Sequence, residues 1–348
     1  MSHDAGADNA SANVAICVPA RDEAARVPRL FEGLDRLAIP GDRSVHVCLL
    51  LDGCTDQSAA IVAAYARGAA HRVHVAEAPR SVPNAGVARH RAMMLGVAAL
   101  GPEGGVLLST DADGWPATDW LHATLAALRH AELVAGDIVR NGPRADERQD
   151  RIEAYYARLH ALRRLADPVP WEAASTHHHA SGANVALHST TYAALGGFAP
   201  LASGEDARLI DDAGRAGHRV RRDAASIVHT SARRNGRARG GLATALRALD
   251  RDGLASVRVA HPLDQLWQYE RHALARRAFA AGDLASFTPA IGLSADHLLG
   301  VARDCPNGEA FAMRVVPVGP QGMRQVPLPL AERTLAALLA DATAARAA

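Results

Sequence analysis

From residue 14 onwards, short apolar runs alternate with longer amphipathic stretches, and this alternation limits the fold more than any other feature. The apolar runs, which we predict to be strands, cover 14–18, 45–51, 72–76 and 106–110. The amphipathic stretches, which we predict to be helices, cover 23–37, 57–68, 86–100 and 118–130. Strand–helix repetition at this spacing predicts an α/β fold with a mainly parallel, Rossmann-like sheet that is flanked by helices.

Charged side chains follow three of these predicted strands. The first strand runs into residues 19–23, the second into Asp52, and the fourth into Asp111 and Asp113. In parallel sheets of this kind, ligands bind beyond the carboxyl ends of the strands. Because several carboxylates cannot be buried together cheaply without a cation or hydrogen-bond donors, we expect a divalent metal and a ligand at this edge.

The second half of the sequence is less regular. We predict a strand at 133–138 and a long helix at 147–166, and the chain beyond about residue 250 is rich in Ala, Leu and Arg and helical in pattern. The predicted organisation is a disordered N-terminus at 1–13, a catalytic domain at 14–245 and a mostly helical C-terminal region at 246–348. The C-terminal region has no motif that indicates its role, and a homodimer contact is one of the roles it allows.

Composition excludes several functional classes. The net charge is +1 and the cations form no basic block, so we expect no nucleic-acid partner. No apolar run approaches 18 residues, so we expect no transmembrane segment. The four cysteines have no C-x-x-C spacing and the N-terminus has no signal-peptide pattern, which together favour a cytoplasmic protein.

The order of the motifs resembles that of family 2 glycosyltransferases of the GT-A fold, in the nucleotide-diphospho-sugar transferase superfamily. The resemblance covers about residues 14–245. It rests on V-P-A-R-D-E-A (18–24), L-L-D-G-C-T-D (50–56), N-A-G-V-A-R-H-R (84–91), T-D-A-D (110–113), S-G-A-N (181–184), G-G-F (196–198), G-E-D (204–206) and H-T-S-A-R-R-N-G-R (229–237). It implies a metal-dependent enzyme that moves a sugar, with inversion, from a UDP-, GDP- or dTDP-sugar to an acceptor hydroxyl.

The same resemblance assigns the donor site. The implied donor-binding residues are Pro19, Ala20, Arg21, Glu23, Asp52, Arg89, Asp111, Ala112, Asp113, Arg233 and Arg237. Within this set, Asp52 would recognise the base, Arg21 and Glu23 the ribose and base, and the two late arginines the diphosphate. His90 stands where the family usually has Asn, which puts any role carried over to that position in doubt.

The metal site and the catalytic base also follow from the resemblance. Asp113 would bind Mn²⁺ or Mg²⁺ directly, Asp111 would contact the ribose or a metal-bound water, and His229 would complete the site. Carboxylate oxygens are the hard ligands that these ions prefer. Asp206 would deprotonate the acceptor hydroxyl, with Glu205 as its supporting partner.

Several alternatives stay open at this stage. A GT-A nucleotidyltransferase would share the fold, although residues 19–23 lack the Gly-rich, basic loop such enzymes carry after the first strand. A catalytically inactive GT-A domain that only binds a ligand is a second alternative, although every expected acidic position is filled. The run His177-His178-His179 suggests a metal site, but we expect a polar loop near the acceptor, because successive loop residues rarely point at one ion.

Overall fold

The computed structural model describes residues 13–141, 146–231, 242–319 and 322–347. These residues form two compact units. The first comprises 13–141, 173–212, 219–231 and 242–244, and the second comprises 146–172, 213–218, 245–319 and 322–347. The predicted division at residues 245 and 246 treats the two parts as consecutive, whereas the chain passes between these units several times.

The described residues contain the following elements. The strands are β1 Val14–Ala20, β2 Val45–Asp52, β3 Arg72–Ala78, β4 Val106–Ser109, β5 Gly114–Pro116, β6 Leu133–Asn141, β7 Val185–His188, β8 Val220–Ser231, β9 Arg258–Ala260 and β10 Gln325–Pro327. The helices are α1 Val27–Asp35, α2 Ser58–Gly68, α3 Ala85–Leu100, α4 Trp120–Ala127, α5 Glu147–Ala166, α6 Ser189–Ala194, α7 Glu205–Ala216, α8 Leu242–Asp252, α9 Pro262–Ala281, α10 Thr288–Ile291, α11 Ala295–Arg303, α12 Gly308–Val315 and α13 Leu328–Ala347. Each strand and helix predicted from the sequence up to residue 166 has its counterpart here.

The first unit is built on an eight-stranded sheet with the order β3-β2-β1-β4-β7-β6-β8-β5. Strands β1 to β4 are mutually parallel, and β6 is parallel to β8. Antiparallel pairing enters through β7, which joins β4 to β6, and through β5, which pairs with β8. The α/β fold with a mainly parallel sheet and flanking helices is therefore confirmed.

The central strands lie in the hydrophobic core, and this position fixes where their ends emerge. Every residue of β2 and β4 is buried, and the core side chains include Ile16, Leu49 and Leu108. The chain turns sharply after β2 at Gly53, whose φ is +62° and whose Cβ, if present, would lie 2.4 Å from the Cα of Arg80. A side chain at this position would therefore displace the loop that lies beside the end of β2.

The second unit has two hydrophobic clusters of its own. One is built around Phe287 and Phe311, and the other around Tyr155 and Leu335. The α9 and α12 helices supply much of the first cluster, while α5 and α13 supply much of the second. The helical character predicted for the C-terminal region is present, and α5, at 147–166, packs in the same unit.

Candidate active site

One cavity of the first unit lies at the carboxyl ends of β1, β2 and β4. It brings together nine of the eleven residues predicted to bind the donor. These nine are Pro19, Ala20, Arg21, Glu23, Asp52, Arg89, Asp111, Ala112 and Asp113. The other two, Arg233 and Arg237, lie outside the described residues. Because the parallel strands end at one edge of the sheet, three separate sequence motifs meet there.

The sequence interpretation left out four further residues that line this cavity. They are Pro83, Asn84, Ala85 and Ala88. Asn84 caps α3, since its Oδ1 accepts a hydrogen bond from the backbone N–H of Val87 at 2.9 Å. The N-terminal end of α3 therefore borders the cavity, which suits an anionic ligand. The signal was available in N-A-G-V-A-R-H-R, from which only Arg89 was selected.

Arg21 and Asp52 form an ion pair at one side of the cavity. The Arg21 Nη1 lies 3.2 Å from the Asp52 Oδ2, and both side chains are largely buried. A second Arg21 nitrogen donates to the backbone carbonyl of Ser81. Arg21 thus partly neutralises Asp52 and joins the ends of the first two strands to the loop after β3. The predicted roles of both residues toward a base and ribose stay predictions.

Asp22, between two predicted site residues, holds the backbone turn after β1. It has a φ of +52°, which is uncommon for a residue with a side chain. Its Oδ1 accepts a 2.6 Å hydrogen bond from the backbone N–H of Thr55, and its Oδ2 lies 3.1 Å from Arg80 Nη1. These donors lower the pKa of Asp22 to about 2. Asp22 therefore shapes the loop that presents Arg21 and Glu23.

Arg89 connects the strand ends to the predicted catalytic pair. Its Nη1 lies 2.9 Å from the Asp111 Oδ1, and its Nε lies 3.2 Å from the Glu205 Oε1. The same Nη1 also donates to the Ser109 hydroxyl at 3.1 Å and to the Gly182 carbonyl at 2.8 Å. Arg89 is 8% exposed, so it is a buried link and not a solvated charge on a helix face.

The charges around Arg89 shift its own pKa and that of Glu205. Burial alone would lower the pKa of Arg89, but the carboxylates of Asp111 and Glu205 raise it above its ordinary value. Burial raises the pKa of Glu205, and Asp206 adds to that rise, while Arg89 opposes it. Arg89 thus keeps its charge and Glu205 holds a proton more readily than an exposed glutamate does.

Asp206 faces a different neighbour from Glu205. Its Oδ2 accepts a 3.0 Å hydrogen bond from the backbone N–H of Gly182, and its Oδ1 accepts from Ala207 N–H at 2.8 Å. Asp206 is more exposed than Glu205, which is 4% exposed and paired with Arg89. The structure therefore joins the predicted E-D pair to the S-G-A-N turn, directly through Asp206 and, for Glu205, by way of Arg89.

The predicted metal ligands come from two places, the turn between β4 and β5 and the strand β8. The Asp113 Oδ2 accepts a 2.9 Å hydrogen bond from the hydroxyl of Ser231, at the end of β8. The His229 ring stacks on Trp115, with 5.4 Å between ring centroids, and its Nδ1 faces the amide nitrogen of Asn141 at 3.0 Å. Burial, together with nearby Arg29, lowers the pKa of His229.

The donor set at Asp113 fits a hard divalent ion that is shared with a ligand. Asp113 lines the cavity, whereas the Asp111 carboxylate is already paired with Arg89. Within the described part of the chain, the ligand atoms of Asp111, Asp113 and His229 do not all lie within 4.8 Å of one another. Mg²⁺ characteristically takes one or two carboxylates and completes its shell with water and substrate phosphates. Asp113 alone meets that requirement, and the roles of Asp111 and His229 as ligands stay predictions.

Comparison with known proteins identifies the family. A sequence model of the family described as Glycosyl transferase family 2 matches residues 15–188, which is half of the chain. The chain belongs to this family. It is therefore a glycosyltransferase, and the GT-A architecture implied by its motifs agrees with the sheet described above. The match ends before Glu205 and Asp206, so the family model does not cover the predicted catalytic pair.

Solved structures of other glycosyltransferases are similar in outline to this family 2 chain. One is TarS 1–349 of S. aureus in complex with UDP-GlcNAc, at 15% identity and a TM-score of 0.49, covering 87% of this chain and 90% of that one. Another is the mannosyltransferase PcManGT of Pyrobaculum calidifontis with GDP-Man and Mn²⁺, at 17% identity and a TM-score of 0.48, covering 96% and 76% respectively. No curated protein matches the sequence significantly. Within the described residues, no helix is long and apolar enough to cross a membrane.

Proposed function

We propose that this glycosyltransferase moves a sugar from a nucleoside diphosphate sugar to an acceptor hydroxyl, with inversion at the anomeric carbon and with a divalent metal. The observation that carries the proposal is the convergence of nine predicted donor-binding residues on one cavity. Such a cavity combines carboxylates for ribose and metal, a buried arginine and the N-terminus of a 16-residue helix. This combination suits a ligand that has hydroxyls at one end and phosphates at the other.

Asp113 would hold the ion, which we propose to be Mn²⁺ or Mg²⁺, together with the diphosphate oxygens of the donor. When bound, the ion supplies positive charge to the departing nucleoside diphosphate. Asp111 is held by Arg89 and is one-third exposed, at 35%, so its carboxylate can accept hydrogen bonds from the ribose of the donor or from water. His229 would join the site through its Nδ1 only if that nitrogen lost its contact with the Asn141 amide.

Asp206 would act as the catalytic base. As the acceptor oxygen forms its bond to the anomeric carbon, the bond from that carbon to the phosphate oxygen breaks, and the hydroxyl proton passes to the Asp206 carboxylate. Glu205 is unsuited to this step, because it is buried and its carboxylate is paired with Arg89. Its pairing with Arg89 would instead fix the start of α7, and thereby the position of Asp206.

Hydrolysis of the donor tests the reaction without knowledge of the acceptor. We would incubate the full chain with UDP-, GDP- and dTDP-sugars and Mn²⁺, and follow the released sugar by proton NMR. An α-linked donor should first release the β-anomer, and chelation of the metal should abolish release. Asp113→Asn should reduce turnover by at least about 100-fold, since the metal contributes several kcal/mol. Initial release of the α-anomer would disprove inversion, and turnover that persists with chelator would disprove the metal requirement.

Two further measurements separate the rival functions. Production of pyrophosphate and a nucleotide-sugar from a nucleoside triphosphate and a sugar phosphate would identify a nucleotidyltransferase. Donor binding measured by calorimetry with no turnover toward any acceptor would identify an inactive binding domain. Either result would overturn the proposed transfer reaction.

A matched pair of variants tests the base. Asp206→Asn should lower turnover by about 10²- to 10⁴-fold, which is the usual contribution of general base catalysis. Donor affinity should change little, as measured by the shift in melting temperature with donor and Mn²⁺. Asp206→Glu keeps the carboxylate and should recover part of the activity. Equal activity of Asp206→Asn and the unmodified chain would remove Asp206 from the mechanism.

The homodimer and the cytoplasmic location predicted from the sequence stay predictions. Light scattering on the full chain would measure its molecular mass directly. Localisation of a tagged full-length protein by cell fractionation would test the compartment.

A further inference from the structure

A group of metal-ligating side chains lies in the first unit apart from the residues that line the donor cavity. It consists of Asp137 on β6 and of His177 and His179 in the segment before the S-G-A-N turn. One ligand atom from each of the three residues lies within 4.8 Å of the others. The two histidines are separated by one residue, so an extended chain can direct both toward β6, and the ring of the intervening His178 lies against that of His179, with 4.3 Å between the ring centroids.

The hydrogen bonds of His177 fix which nitrogen carries its proton. Its Nε2 lies 3.1 Å from the carbonyl oxygen of Ala135, which can only accept, so the hydrogen is on Nε2. Its Nδ1 accepts the backbone N–H of His179 at 3.1 Å, so Nδ1 carries the lone pair. A histidine that binds a metal typically donates its other ring N–H to a backbone carbonyl, which orients the ring. His177 already makes this bond to a backbone carbonyl through Nε2 and its side chain is buried, and an ion at Nδ1 would take the place of the His179 N–H on that lone pair.

Asp137 and His179 complete the group from the solvent side. The His179 Nδ1 lies 2.7 Å from the Asp137 Oδ1, and the two side chains are 21% and 23% exposed. Asp137 follows a break in the register between β6 and β8, which falls between Gly136 and Asp137. Irregularities of this kind re-aim a side chain relative to a regular strand. The group is therefore anchored at His177 and accessible at the other two residues.

We propose that Asp137, His177 and His179 bind a divalent transition ion of the zinc class. Two imidazoles and one carboxylate are a ligand set that Zn²⁺ uses when it keeps a fourth position for water or a substrate oxygen. Imidazole nitrogen favours Zn²⁺ and its neighbours over Mg²⁺ and Mn²⁺, whereas the Asp113 carboxylate suits the harder ions. The chain would thus carry two metal sites of different preference, and this second site does not rest on the proposed glycosyl transfer.

An ion at this group would stabilise the segment that leads into the predicted acceptor side. The carbonyl of Asp137 accepts a 2.9 Å hydrogen bond from the Asn184 amide, in the S-G-A-N turn. In the same turn, Gly182 donates its backbone N–H to Asp206 and accepts from Arg89 through its carbonyl. The proposed site would therefore fix the chain on both sides of Ser181, next to the predicted base.

Titration of the metal-stripped full chain with Zn²⁺ tests the proposal. Calorimetry should show a site that binds one equivalent, and Co²⁺ in its place should give visible absorption bands from a low-coordinate nitrogen and oxygen environment. His179→Gln and Asp137→Asn should each weaken Zn²⁺ binding by at least about 100-fold, because each removes a direct ligand. Zn²⁺ should raise the melting temperature of the unmodified chain and not that of these variants.

Three matched variants serve as controls. His178→Gln changes the adjacent histidine, and Asp113→Asn changes the predicted donor-site ligand. Cys54→Ser alters another group of potential ligands, Asp22, Cys54 and Asp56, at the donor side. All three should bind Zn²⁺ as the unmodified chain does, and circular dichroism should show that His179→Gln and Asp137→Asn are folded without metal.

Several results would overturn the proposed site. Absence of a tight Zn²⁺ site in the unmodified chain would do so directly. Equal loss of binding in His178→Gln or Cys54→Ser would place the ion elsewhere, and displacement of Zn²⁺ by equimolar Mn²⁺ would contradict the proposed ligand chemistry.

Discussion

Among the residues that the structure describes, two buried arginines are each held between two carboxylates, one in each unit. The Arg89 cluster consists of Arg89, Asp111 and Glu205, and the Arg276 cluster consists of Arg276, Asp167 and Glu309. In both clusters burial opposes the charge of the arginine, and the two carboxylates raise its pKa nevertheless. In both, burial raises the pKa of one glutamate.

The clusters differ in what they face. The Asp111 side chain is 35% exposed and lines the donor cavity, whereas the side chains of Asp167 and Glu309 are 6% and 17% exposed. Arg89 also binds a hydroxyl and a backbone carbonyl from separate segments. A buried arginine between two acids is therefore no sign of a catalytic site by itself, because any buried charge requires partners. The exposed carboxylate and the cavity are what make the Arg89 cluster the candidate functional one.

We expect the largest effect on stability when either arginine is replaced by alanine. Arg89→Ala and Arg276→Ala would each leave at least one buried carboxylate without its cation, at a cost of about 3–5 kcal/mol in the free energy of unfolding. Only Arg89→Ala should also lower turnover per folded molecule, by about 100-fold, because Asp111 and the start of α7 lose their common anchor. Chemical denaturation and assays at matched folded fraction measure the two effects.

The outcome of Arg276→Ala decides how far this comparison holds. We expect its turnover per folded molecule to equal that of the unmodified chain, because the residues that line the donor cavity all belong to the first unit. A fall as large as that of Arg89→Ala would show that the Arg276 cluster also serves catalysis.

Replacing each arginine with lysine should reveal the different geometry of the two clusters, with an intermediate loss of stability. Lysine keeps the charge but offers a compact ammonium instead of a planar fork. At position 276 it needs to reach two carboxylates, whereas at position 89 it would have to reach Asp111, Glu205, Ser109 and Gly182 together. We expect Arg89→Lys to lose about 1–3 kcal/mol of stability through unsatisfied buried acceptors, and Arg276→Lys to lose less. Equal losses in denaturation experiments would contradict this account.

The sequence could indicate which residues lie together at this edge of the sheet because its motifs are local. Three of the predicted strand ends carry their own acidic residues, and parallel pairing brings Asp52 and Asp111 to one edge of the sheet. The short β5 strand and the long β8 strand were not predicted. The β5 strand has only three residues, too few to show a periodic pattern. In β8 the charged residues 221–223 interrupt the apolar alternation.

Contacts between distant segments could not be predicted in the same way. Arg89 pairs with Glu205 across 116 positions, so its burial depends on how α3 and α7 meet in the fold. The sequence could not show that Arg89 is buried, and the structure does. Likewise, Asp137 lies about 40 positions before His179, and no spacing rule links a strand carboxylate to a later loop. The histidine run was therefore assigned to a polar loop.

A smaller effect is expected from the hydroxyl that only the Arg89 cluster contains. Ser109 is fully buried, donates to the Gly182 carbonyl at 2.7 Å and accepts from Arg89. Ser109→Ala removes one hydrogen-bond partner from Arg89 and one from the Gly182 carbonyl, which should cost about 1–3 kcal/mol of stability. We expect the lower end of this range because the Gly182 carbonyl keeps its bond to Arg89. Turnover should fall only a few-fold. Ser109→Thr retains the hydroxyl and is the matched control; an unchanged Ser109→Ala variant would show that the hydroxyl is dispensable.

The smallest effect is expected in the pH dependence that the two clusters share. Because burial raises the pKa of Glu309, its folded form binds a proton more tightly than its unfolded form does. The stability from this group is therefore fully present below the ordinary glutamate pKa of 4.5 and is lost as the pH rises through the folded pKa. Glu309→Gln cannot titrate, so the stability lost on substitution should shrink between pH 4 and pH 8, and Glu205→Gln should behave alike. If denaturation experiments showed instead that the stability lost on Glu309→Gln grows with pH, then Arg276 would keep Glu309 ionised more readily than water does.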